Sequence, residues 1–239
     1  MKAHLLASAL ALAAALPAQA GEWGGLFSQI AVTSDYRYQG VSNSDGHAAV
    51  QANIHYWRPD GFYAGVFATG VDFNDVGTSY EIDTYGGKNF RLEAGRTALK
   101  LEGMYTAFPD NRTPGPTYDF FQAKLAAHRT TGRLTTGVVT SFVPEASYGS
   151  GTAWRAEADA AYAVAPNLKV SGLVGRRWIE RGQDRGYWSA GAAATWKTVT
   201  FDLRYFDTNL NRAECGRFNP DVCGATVVGT LTVALPPIL

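Results

Sequence analysis

Trp154-Arg155-Ala156-Glu157-Ala158-Asp159-Ala160-Ala161-Tyr162 and Trp188-Ser189-Ala190-Gly191-Ala192-Ala193-Ala194-Thr195-Trp196 carry one pattern. On alternate positions each has an aromatic, three alanines and a second aromatic. Strand side chains point alternately to opposite faces, so each run sets an apolar face against a polar or small one. The two aromatics of a run stand roughly 26 Å apart along a strand, or about 20 Å after barrel tilt. That is close to the roughly 25 Å apolar band between the aromatic girdles of outer-membrane barrels. The pattern predicts strands that cross a bilayer.

The first twenty residues read as an export signal. Lys2 and His4 open the chain, Leu5 to Leu16 is apolar, and Ala18-Gln19-Ala20 is a small-x-small cleavage site. The predicted mature chain, residues 21–239, has 20 basic and 21 acidic side chains once Lys2 is removed from the 21 and 21 of the whole. A net charge near −1 excludes a general polyanion partner such as nucleic acid. No later segment is apolar enough for a membrane helix, so contact with a bilayer requires a closed barrel. Cys215 and Cys223 are the only cysteines. In an exported chain the pair reads as a disulfide, with half a metal site as the rival.

Alternating runs fall near 26–39, 47–57, 62–73, 79–90, 97–108, 118–129, 134–143, 153–163, 168–177, 187–196, 198–206 and 225–235. Short corners rich in Gly, Pro, Asn and Asp, such as Arg58-Pro59-Asp60-Gly61, alternate with longer connections, the longest from Asp207 to Gly224. Short turns at one end and long loops at the other are the habit of outer-membrane barrels. The expected fold is all-β: an antiparallel up-and-down transmembrane barrel of about 12 strands. It is expected in the bacterial outer membrane, against lipid and lipopolysaccharide, after delivery to the barrel-assembly machinery.

A soluble barrel would turn its apolar face inward. Same-face aromatics at strand ends argue for the inverse: Tyr36, Tyr38, Tyr56, Tyr80, Trp154, Tyr162, Trp188, Trp196 and Tyr205 are expected at the membrane interfaces. The opposite face is then expected to line a lumen. It offers Asp35, Arg37, His47, His55, Glu81, Asp83, Lys100, Glu102, Lys124, His128, Arg155, Glu157, Asp159, Lys169, Arg177, Asp202 and Arg204. Its acids and bases balance, which predicts weak charge selectivity.

Val32-Thr33-Ser34-Asp35-Tyr36-Arg37-Tyr38-Gln39-Gly40-Val41-Ser42, Gly61 to Val66, Val71-Asp72-Phe73 and Tyr80 to Asp83 resemble the TorF-type porin family of proteobacterial outer-membrane proteins. Asp207-Thr208-Asn209-Leu210, the cysteine loop and the last strand are similar too. The resemblance implies an outer-membrane barrel and no particular substrate, cofactor, metal or catalytic residue. The chain departs from such barrels by ending Leu235-Pro236-Pro237-Ile238-Leu239 rather than on an aromatic, so the usual assembly signal is missing.

The functional expectation is passive diffusion of small solutes, with a filled, non-conducting barrel as the alternative. A soluble periplasmic binding barrel is a further reading. An outer-membrane hydrolase is a third class. Its best cluster is His47 beside Ser42, Asn43, Ser44 and Asp45, with no lipase or protease signature and a composition that any exposed turn uses. Asp72-Phe73-Asn74 with Gly77 and Asp83 fits a calcium loop only in part, since Val76 occupies a ligand position. No cofactor or metal is expected.

Overall fold

The computed structural model describes residues 24–73, 77–112, 114–215 and 221–238. The expected leader and cleavage site fall outside these, as do Asn74 and Val76 of the partial calcium loop. Fourteen strands follow in chain order: β1 (Gly25–Thr33), β2 (Arg37–Tyr38), β3 (Val41–Ser42), β4 (Ala49–Trp57), β5 (Phe62–Gly70), β6 (Tyr80–Leu92), β7 (Thr97–Ala107), β8 (Phe120–Thr131), β9 (Leu134–Val143), β10 (Ala153–Ala165), β11 (Leu168–Ile179), β12 (Arg185–Trp196), β13 (Val199–Thr208) and β14 (Thr226–Ala234). Twelve of them form one closed antiparallel barrel, in which each pairs with its neighbours in sequence. The short pair β2–β3 stands apart as a hairpin.

The seam closes where β1 pairs with both β4 and β14, from Gln29↔Ala234 to Thr33↔Thr230 on the latter side. Closure leaves no open edge for lipid to satisfy. The non-aromatic tail extends this seam. Ile238 exchanges both backbone hydrogen bonds with Leu26, at 2.8 and 3.0 Å.

Inside and outside follow the alternation. Val50, Ile54, Leu101, Leu125, Val138, Val174, Leu203 and Leu231 face outward and are exposed. Their inward neighbours Gln51, Glu102, Lys124, Glu157 and Thr230 are buried. This is the inverse of a water-soluble barrel. Outward aromatics gather at both strand ends. Trp154 packs on Phe142 across β9 and β10 with ring centroids 4.5 Å apart, and pairs with Trp178 on β11.

Inward glycines let bulky polar groups lie flat on the wall. At Gly137 an added Cβ would meet His128 Cδ2 at 2.2 Å and Asp159 Oδ2 at 2.5 Å. The missing side chain is the space in which His128 reaches Asp159, 3.2 Å away.

The expected first run, 26–39, is corrected. β1 stops at Thr33, and residues 34–48 fold inward as an insert carrying the β2–β3 hairpin. Gln39 (φ 52°) and Gly40 (φ 79°) form its tip, the two left-handed positions of a tight hairpin turn. A Cβ at Gly40 would lie 2.5 Å from Thr208 Cγ2 and 2.9 Å from Tyr187 Cβ, so the tip is wedged against β12 and β13.

Candidate solute site in the barrel lumen

The insert crosses the lumen near the long-loop end. Asp35 anchors it: Arg37 Nε donates to its carboxylate at 2.6 Å, as does the Ser42 hydroxyl at 2.6 Å. Ser44 Oγ lies 3.3 Å from the same carboxylate and 2.7 Å from the His47 carbonyl. The expected Ser/His cluster is therefore a brace that holds the insert. The Tyr36 hydroxyl donates to Glu81 at 2.8 Å, and Gln122 donates to the Tyr38 hydroxyl at 3.2 Å. Arg185 donates to the Gln39 side chain at 3.2 Å.

Tyr36 and Tyr38, expected at the membrane interface, are thus inside the barrel. The alternation that pointed them outward ends when β1 turns in at Ser34. His47 is also corrected: it precedes β4 and is exposed on the rim, not in the lumen. Tyr56, Tyr80, Trp154, Tyr162, Trp188, Trp196 and Tyr205 all point outward and are exposed.

His55, Glu81, Asp83, Lys100, Glu102, Lys124, His128, Arg155, Glu157, Asp159, Lys169, Arg177, Asp202 and Arg204 lie on the inward face of their strands. Most neutralise one another where they stand. Glu102 pairs with both Lys100, at 2.7 Å, and Lys124, and accepts from Tyr63 at 2.8 Å. Arg204 pairs with Asp202 at 3.0 Å and reaches Ser171 at 2.9 Å. Glu157 accepts from Tyr187 at 2.7 Å, and Arg155 stands 3.5 Å from it. His55 stacks on Phe27, ring centroids 5.6 Å apart, towards the short-turn end.

A cavity of about 390 Å³ opens beside the insert. Its walls include Tyr36, Tyr38 and Gln39 of the insert, Glu81 and Asp83 of β6, and Arg155, Arg177 and Arg185 of β10 to β12. Phe73, Phe108 and Tyr118 close another side, in edge-to-face contacts at 5.5 to 6.0 Å. Sequence reading placed Arg185 in a loop and these aromatics at the ends of alternating runs, whereas β5 ends at Gly70, β7 ends at Ala107 and β8 starts at Phe120. The signal for Arg185 was its inward parity with Tyr187, visible only once β12 is known to start at residue 185.

The cysteines form a disulfide, Cα–Cα 5.5 Å, within the longest loop. That loop grips the insert: Ser42 N donates to the Val222 carbonyl at 2.8 Å and Arg37 to the Gly224 carbonyl at 2.9 Å. At the rim, donor atoms of Asp45, His47 and Asp72 lie within 4.8 Å of one another, the one such group among the described residues. Exposed acids cluster so commonly that this geometry assigns no metal.

A closed twelve-strand antiparallel barrel with an apolar exterior and a polar, aromatic-lined interior has the architecture of a transmembrane β-barrel. The chain belongs to Gcw_chp, a bacterial protein family of unknown function, whose profile matches residues 20–233. No curated protein matches it by sequence. Among solved structures it is similar to the KdgM porin in complex with disordered oligogalacturonate, with a TM-score of 0.57, 6% identity and 88% and 98% of the two chains covered. The NanC porin gives 0.59, 9%, 88% and 99%. The COG4313 outer membrane channel from Pseudomonas putida F1 gives 0.59, 9%, 89% and 96%. At such identities the likeness is one of fold alone.

Proposed function

We propose that this protein is a narrow outer-membrane pore for passive diffusion of small polar solutes, without catalytic chemistry of its own. The chain is exported by its first twenty residues, delivered to the barrel-assembly machinery, and set in lipid and lipopolysaccharide with the long loops outside. The TorF-type resemblance is part of this reading, and so is KdgM and NanC being porins of similar fold.

The observation that carries it is the cavity: a space of about 390 Å³ lined by charged, polar and aromatic side chains, inside a closed barrel and beside the β2–β3 hairpin. Porins with wide channels use about 16 to 18 strands, so twelve strands with an inward insert favour small solutes. Swelling of liposomes that hold the purified protein tests it. Solutes the size of glycine and glycerol are expected to enter, and disaccharides to be excluded. Absence of swelling for every solute would leave a filled structural barrel. The enzyme class is tested by release of fatty acid or peptide from outer-membrane substrates, and none is expected.

A further inference from the structure

Charge along the lumen is balanced, but not evenly. Asp35, Glu102, Asp159 and Asp202 each have a basic partner within 4 Å. At the cavity this local pairing stops. Arg155 faces Arg177 directly across β10–β11, and Arg177 faces Arg185 directly across β11–β12. Three inward guanidinium groups thus stand side by side in one row. Like charges set opposite each other destabilise a sheet. Among the described residues neither Arg177 nor Arg185 has a carboxylate within 4 Å, and Arg185 Nε is buried with no hydrogen-bond partner. Of the three only Arg155 has an acid within 4 Å, Glu157 at 3.5 Å, whose Oε2 is itself unpartnered among the described residues.

Glu81 and Asp83 of β6 line the same cavity from another wall. Glu81 accepts from Tyr36 at 2.8 Å and Asp83 from Thr106 at 2.5 Å, both neutral donors. Neither has a cationic partner within 4 Å among the described residues. Between the two charged walls the surface is aromatic, from Tyr36, Phe108, Tyr118 and Phe120. The cavity therefore presents guanidinium groups on one wall, carboxyl groups on another and aromatic rings between them. Buried charges are costly unless paired, and here the missing partners are complementary to a single dipolar molecule.

We propose that this cavity binds small zwitterionic solutes, with a carboxylate on the Arg155–Arg177–Arg185 row and a cationic group towards Glu81 and Asp83. Guanidinium forks suit a carboxylate, and the aromatic wall suits a short aliphatic stem and a nearby ammonium. The proposal deepens the pore reading and rests on it for the solute's passage, though not for its binding.

Calorimetric titration of the detergent-solubilised full chain with ω-amino acids from glycine to 6-aminohexanoate tests this. Alkyl carboxylates and alkylamines of matched length are the comparison probes. At least one ω-amino acid is expected to bind more tightly than both homologues. R177Q/R185Q and E81Q/D83N are each expected to weaken it roughly tenfold or more. Gel mobility without boiling verifies folding, and R177Q alone serves if a double variant does not fold. Equal affinity for the zwitterion and its monopolar homologues, absence of binding, or indifference to the substitutions would overturn the proposal. Conductance without such binding sinks this site and leaves the pore, whereas binding without conductance does the reverse.

Discussion

Gly137 shows how much of the lumen depends on what is absent. His128 and Asp159 meet in the space its missing side chain leaves. Gly137→Val is expected to drive them apart and cost about 1–3 kcal/mol, as overpacking does. Gly229→Ala is the contrast, because its Cβ would only touch Phe201 at 3.8 Å. Unfolding in micelles should rank G137V well below G229A; equal stability would contradict this packing. Residue identity alone hid this relation, since strand parity says which face a glycine shares and not which neighbour lies over it. The same limit explains Tyr36 and Tyr38. Aromatics at a strand end look alike from the sequence whether the backbone continues or bends inward, and here Asp35 holds the bend.

The elements were largely legible. Period-two alternation brought most strand limits within two or three residues, and the 134–143 strand to both ends. The turn from β6 to β7 at residues 93–96 has no Pro or Asn, only Gly95, and the turn from β12 to β13, Lys197-Thr198, has none of the usual corner residues. The insert was not legible, because its alternation joins that of β1 without a break. It is also where the disulfide acts. Cys223 is buried, and the carbonyls of Val222 and Gly224 on either side of it hold Ser42 and Arg37. Cys215→Ser should make the loop at 209–225 cut several-fold faster by added protease while the barrel persists. It should also broaden the distribution of single-channel currents as the hairpin loosens. Loss of the barrel itself would mean that the disulfide supports more than the loop.

At the scale of the molecule, a balanced count of charges concealed their arrangement. Pairing such as Arg37–Asp35 and Arg204–Asp202 removes charge locally, so the sum predicts little about what a solute meets. The field is expressed at the cavity, where Arg177 and Arg185 stand across from Glu81 and Asp83. The pattern read from Trp154 and Trp188 decides the barrel, and the residues between the outward aromatics decide its lumen. The central claim is that the lumen conducts and that the β2–β3 hairpin is its narrowest part. Single-channel recording in planar bilayers, on the wild type and a variant with Arg37–Ser42 replaced by two glycines, tests it most directly. The account predicts small discrete current steps for the wild type and steps at least about twofold larger for the shortened insert, as expected when a constriction is removed. Silence from both proteins, or equal steps from both, would contradict it.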